Sequence, residues 1–249
     1  MTPLLILALT LVIVATTFLS GLFGMAGGLV LVGVLFVFLP LPTAMVLHAA
    51  TQIASNLWRA LIWRQHIRWR IVVAYMAGGA IALVPWSLTQ FVPSTPIAMI
   101  FLGVIPFLVH LVPRRLQPNP ESPRHGIIYG AVSMTSMLLT GVAGPLLDSF
   151  FLGGNLDRRE IVATKGMCQI FGHSLKLAYF GGIIDQVADM NATMLGLAIV
   201  ASLIGTVLAK RLLEAMSDTQ YRKWAGGLIT AISGYYVLHG SALLALANH

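Results

Sequence analysis

Lys165 stands about two turns inside an apolar run of the chain, and Asp148 lies on the short apolar run before it. An ammonium among aliphatic side chains either attracts a small anion or closes an ion pair with a carboxylate. In the first case Lys165 draws the anion while Asp148 sets its orientation or its protonation; in the second the two form a structural pair. Polar stripes surround them. Residues four apart share a helical face, so Gln52 lines up with Asn56, and Lys165 with Gln169 and His173. Thr51 and Thr164 adjoin these stripes at matching places. Such neutral donors suit an oxyanion chosen by hydrogen bonds; the alternative is interhelical bonding, worth about 0.6 kcal/mol per bond. His48 and His173 are candidate proton carriers, since histidine titrates near physiological pH, or else helix-packing residues. Arg59 is either an interfacial anchor or part of a vestibule on the cytoplasmic side.

Two glycine clusters complete the set. Gly21, Gly24, Gly27 and Gly28 form one; Gly141 and Gly144, followed by Pro145, form the other. Bare Cα atoms let backbone N–H groups face a cavity, and helices starting there would aim positive dipole ends at an anion. Close helix packing through small residues is the competing explanation.

These residues need a lipid-embedded frame. Of the 249 residues 57% are hydrophobic and 9% charged, against roughly 25% charged in an average globular chain. Mean hydropathy is +0.86, and the first charged side chain is Arg59. Soluble, disordered and collagen-like classes are excluded. One cysteine, Cys168, excludes a disulfide framework and a cysteine zinc site. No P-loop, H-E-x-x-H or G-x-S-x-G occurs, which argues against an ATP motor, a protease or an esterase. The net charge of +7 sits in short loops and not in a stripe interleaved with aromatics, so nucleic acid is not expected. No cofactor or metal is expected.

Breaks at charges, Pro and Gly give ten segments near 3–20, 24–39, 43–63, 70–91, 95–112, 126–140, 144–153, 159–180, 190–209 and 220–246. The first lacks a basic n-region and reads as a retained membrane segment. The polar gap divides the chain into 1–112, a basic linker 113–125, and 126–249. Gly24-Met25-Ala26-Gly27 has its counterpart in Gly141-Val142-Ala143-Gly144, and Ala50-Thr51 in Ala163-Thr164. Lys and Arg favour cytoplasmic loops. With the loops around Arg64–Arg70, Arg114–Arg124, Arg158-Arg159 and Lys210-Arg211 inside, segment three starts outside and segment eight inside. The expectation is an all-α polytopic membrane protein of two inverted repeats, five helical segments each, with both termini outside. Each repeat opens with a broken or re-entrant hairpin or with two full crossings; the short run 144–153 favours hairpins meeting near the midplane.

Gly21-Leu22-Phe23-Gly24-Met25-Ala26-Gly27-Gly28-Leu29 followed by Ala50-Thr51 resembles the first-repeat signature of the sulfite exporter TauE/SafE family, and Gly141 to Pro145 with Ala163-Thr164-Lys165 resembles its second. The departures are Met25-Ala26, where a further glycine is usual, Gln52, where a serine is common, and the lack of a proline soon after Gly28. The resemblance implies a bacterial inner-membrane permease that moves sulfite, sulfonates or related anions, usually outward and in some members inward. Export by alternating access is the expectation, since an anion leaving a negative interior runs downhill. An anion channel and a proton-coupled importer are the alternatives. Its partners would be a small anionic substrate and the lipid bilayer; a homo-oligomer is left open.

Overall fold

The computed structural model describes the chain apart from residues 1, 24–25, 112–117, 153–154, 185–191, 216–217 and 248–249, and apart from the side chains of 23, 110, 152, 158, 210–226 and 247. Among the described residues it is all-helical. Ten α-helices follow one another: α1 (Pro3–Phe23), α2 (Ala26–Phe38), α3 (Leu41–Ile62), α4 (Trp69–Thr89), α5 (Thr95–His110), α6 (Pro123–Thr140), α7 (Gly144–Leu152), α8 (Arg158–Ala178), α9 (Ala192–Ala215) and α10 (Asp218–Ala247).

Local chemistry sets the ends. Pro42 opens α3 in its first turn, where a missing N–H is harmless. Asp157 caps α8 with a full capping box, accepting from the Arg159 and Glu160 N–H groups while Glu160 reaches back to the Asp157 N–H. Gly141 ends α6 at φ 89°, a left-handed turn that a side chain would strain. Helix α9 runs past the expected end at Ala209 because Lys210, Arg211, Leu212, Leu213, Glu214 and Ala215 all favour helix.

Four helices carry apolar runs long enough to cross a bilayer: Pro3–Leu22, Trp69–Thr89, Ala192–Ala209 and Gly227–Leu246. Their outward faces are aliphatic, with Leu7, Leu11, Val73, Val84, Val200, Leu208 and Leu238 exposed. In water such a surface would aggregate; in lipid it is matched, and the chain is a multi-pass membrane protein. Helices α2 and α7 have 13 and 9 residues, about 20 and 14 Å at 1.5 Å per residue. At that length each falls short of a roughly 30 Å core.

The main packing partners are α1 with α9, α4 with α6, α3 with α8 and α5 with α10. Small residues bring the backbones together. A Cβ on Gly205 would fall on α1 at Val14 and Thr17, and one on Gly130 would fall on the Tyr75 carbonyl of α4. Gly103 and Gly240 do the same between α5 and α10. With lipid as apolar as leucine, this close van der Waals contact is what holds such helices. Helix α7 is anchored by Leu147, Phe150 and Phe151, buried with Ile71, Val72 and Tyr75, and Phe150 stacks on Tyr129.

Candidate functional site

Helices α3 and α8 carry two polar stripes with the same spacing. On α3 these are His48, Gln52, Asn56 and Arg59; on α8, Lys165, Gln169, His173 and Lys176. Steps of four, four and three keep each set on one face over three turns. The helices pack antiparallel: Gly166 lies against Asn56 and Ala60, and Lys176 meets His48. The stripes therefore face each other, with a basic group near each end and amides between.

Lys176 escaped the sequence reading, although it extends the stripe of Lys165, Gln169 and His173 by one step of three. Its side chain is fully buried. The ammonium nitrogen lies 2.8 Å from His48 Nδ1 and 2.9 Å from the Gly141 carbonyl. His48 Nε2 is 3.0 Å from the Gly28 carbonyl. A carbonyl only accepts, so Nε2 carries the hydrogen and Nδ1 accepts from Lys176. The His173 ring stands edge-on to His48, centroids 5.5 Å apart.

Below this link lies a pocket between the stripes. His48, Gln52, Asn56 and Arg59 line it from α3, and Lys165, Gln169 and His173 from α8. Gly28 and Leu29 of α2 and Val142, Ala143, Gly144 and Pro145 at the start of α7 close it. Both glycine turns thus contribute to one cavity. A Cβ on Gly28 would sit 3.3 Å from Gln52 Oε1, so the bare Cα lets the amide come close. The free volume is about 20 Å3, room for one water. Gln52 Nε2 and His173 Nδ1 are buried here with no hydrogen-bond partner, while Asn56 donates to the Gln52 carbonyl at 2.8 Å. Unpaired buried polar atoms are rare and expensive. Both of these atoms belong to side chains that line the same pocket.

Lys165 forms an ion pair with Asp148 Oδ1 on α7, and the pair is partly exposed, 16% and 33% by side chain. Arg59 donates to Ser55 Oγ at 2.8 Å. Ser55 in turn bonds Thr206 of α9 at 2.9 Å, which ties the cationic end of the pocket to a third helix.

Besides Asp148, four expected residues lie outside the pocket lining, each with contacts of its own. Thr51 donates to the His48 carbonyl, and its own carbonyl accepts from Ser202 of α9. Thr164 accepts from the Arg68 N–H and so holds the loop between α3 and α4. Gly27 packs against Thr16 and Ser20 of α1. Gly141 abuts Val32 and Met45 and presents its carbonyl to Lys176. Gly24 lies outside the described residues. Outside the pocket, Arg68 pairs with Glu160 at 2.9 Å and Glu121 at 3.3 Å, and Arg159 lies over the Trp63 ring. Among the described residues no group of three His, Cys, Asp or Glu is placed to hold a metal.

Searches of curated proteins and of solved structures returned no match. The family model described as sulfite exporter TauE/SafE matches residues 9–236, nearly the whole helical chain and every pocket-lining residue. The chain belongs to the sulfite exporter TauE/SafE family, a family of membrane transporters and not of enzymes.

Proposed function

We propose that this protein is a secondary transporter that exports small sulfur oxyanions or organosulfur anions, sulfite and sulfonates among them, by alternating access. The pocket between α3 and α8 is the binding site. Gln52, Asn56, Gln169 and His173 are the hydrogen-bonding groups, Lys165 and Arg59 the electrostatic attraction, and Gly28 and Gly144 the points of close backbone approach. The observation that carries this reading is the pair of buried, unpartnered nitrogens, Gln52 Nε2 and His173 Nδ1, in a pocket that also holds two cations. An oxyanion supplies several acceptor lone pairs and a charge at once.

The inverted repeat belongs to the same reading. If α1–α5 map onto α6–α10, the α1–α9 contact must reappear as α6–α4, while α3–α8 and α5–α10 map onto themselves. Those four are the main helix pairs of the fold. Two short helices in corresponding positions, α2 and α7, flank the pocket, as in transporters built on broken helices. A pocket with space for about one water favours a carrier that closes around its guest over an open channel. Direction follows from voltage: each negative charge leaving a negative interior gains about 2.3 kcal/mol per 100 mV. Export of an anion then needs no coupling ion.

Proteoliposomes loaded with sulfite test this. Saturable efflux, counterflow, and loss of both in Lys165→Ala and Gln52→Ala are expected. Flux that rises linearly with concentration, or full activity in both variants, would overturn it.

A further inference from the structure

We infer that the Asp148 carboxylate is the resting partner of Lys165, a built-in competitor that the substrate must displace from that lysine. The inference rests on the binding-site reading above and deepens it.

Lys165 faces the pocket, yet its ammonium is already paired with Asp148 Oδ1. Asp148 does not line the pocket itself. It sits one turn beyond Gly144 and Pro145, which do. A carboxylate offers the same chemistry as the proposed guest: a negative charge spread over oxygens that accept from an ammonium. The pocket's two needs are therefore met unequally. Lys165 has a local anion, while Gln52 Nε2 and His173 Nδ1, in residues 6% and 2% exposed, have no hydrogen-bond partner. A carboxylate outside the pocket lining satisfies the first need and does not meet the second. A free oxyanion in the pocket meets both, and it does so by taking over Lys165.

The charge balance makes the exchange reasonable. An empty site with an unpaired lysine inside a bilayer is costly, and Asp148 removes that cost between transport cycles. When an anion arrives, the ion pair opens and the carboxylate is left on α7, whose described hold on the rest of the protein is otherwise apolar, through Leu147, Phe150 and Phe151. Substrate binding thereby loosens one half of the α6–α7 hairpin. When Asp148 returns to Lys165, it expels the anion. The price of this device is affinity.

Sulfite titrations of purified protein by calorimetry, with sulfite counterflow in proteoliposomes, separate the outcomes. Neutral variants, Asp148→Asn and Asp148→Ser, should bind sulfite about tenfold more tightly than wild type, the direction expected when a competing charge is removed. Their half-saturation concentration and their turnover should both fall, because nothing expels the anion. Asp148→Glu, which keeps the carboxylate, should retain wild-type affinity within about twofold. Unchanged or weaker binding in either folded neutral variant overturns the inference and leaves the binding site standing. Wild-type binding that persists undiminished in Lys165→Ala overturns the site and the inference together.

Discussion

Lys176 on α8 donates to His48 Nδ1 on α3 at 2.8 Å, and through this contact the two glycine turns of the protein are joined. His48 holds the Gly28 carbonyl of α2, and Lys176 the Gly141 carbonyl before α7. Four polar groups from four parts of the chain make one continuous buried link.

Cutting the link should be felt in stability first. Lys176→Met leaves His48 Nδ1 and the Gly141 carbonyl without a donor, each at about 1–3 kcal/mol. His48→Ala removes the same contact from the other side. The two losses should therefore not add: the double variant should recover about 0.5–3 kcal/mol relative to their sum. Unfolding of the four proteins in detergent measures this, and strict additivity would show that the contact carries no energy.

The missed lysine shows what was legible in the sequence. Helix positions were readable because long apolar runs broken by Gly, Pro and charges leave few alternatives. The stripe through Lys165, Gln169 and His173 was visible from its spacing of four. Lys176 was there to be found by one further step of three, but near a segment end a lysine reads as a snorkelling anchor. Thr51 and Thr164 lie outside the pocket lining, which their sequence positions do not reveal. They stand at similar places in the two stripes, yet a hydroxyl on a helix can turn to its own backbone or to a neighbouring loop. Only the packing of α9 and of the Arg68 loop decides that. The partner of each helix, such as α9 for α1, was not legible at all, because lipid-facing and protein-facing surfaces are both aliphatic.

Gln52→Leu should separate function from stability. The substitution removes a buried amide nitrogen that has no partner. Replacing an unsatisfied polar group by an apolar one of similar size is neutral or stabilising, by up to about 1–3 kcal/mol. The same change deletes a donor from the pocket, so sulfite affinity should fall by about tenfold or more. A variant that unfolds at equal or higher temperature and binds sulfite poorly is the expected result. A less stable variant with normal binding would place Gln52 among the structural residues.

The glycines sort into two classes that substitution should expose. On Gly130 a methyl group would meet the Tyr75 carbonyl of α4, and on Gly205 the α1 backbone at Val14. Alanine at either position must push two helices apart, and expression of folded protein should drop sharply. On Gly234 of α10 a methyl group would have nothing within 4 Å of it. Alanine there should be tolerated or should add up to about 1 kcal/mol through helix propensity. Thermal unfolding of the purified variants compares the two classes directly.

Acid should weaken the start of α8. Hydrogen bonds from the Glu160 and Arg159 backbone N–H groups hold the Asp157 carboxyl below its ordinary value of 3.8. A carboxylate whose pKa is lower in the folded state contributes stability above its unfolded value and loses it as the pH falls through the folded one. Asp157→Asn should therefore cost stability at pH 6 and progressively less below about pH 4. Melting curves of wild type and variant across that range should converge on the acidic side; a constant gap would assign the effect to packing and not to the charge.

Orientation is the last expectation, and it follows from the cations. Arg64, Arg68 and Arg70 flank the turn between α3 and α4, and Arg124 and Arg159 begin α6 and α8. Arg68 joins two of these places by pairing with Glu121 and Glu160, so the α3–α4 loop, the end of the linker and the start of α8 lie on one side of the protein. Loops rich in Arg and Lys stay in the cytoplasm, which puts that side inside. Helix α1 runs parallel to α9, since Gly21 lies beside Ala209 and Gly205 beside Thr17. Because α9 carries the basic stretch Lys210-Arg211 in its last turns, α1 is expected to head inward and to begin outside. Helix α10 is expected to leave the same basic side and to end outside as well. Alkaline phosphatase fused after residue 249 should be active and a fusion in the 113–125 linker inactive, with fluorescent-protein fusions giving the reverse pattern. An inactive C-terminal phosphatase with an active linker fusion would invert the molecule and, with it, the direction in which the voltage drives the anion.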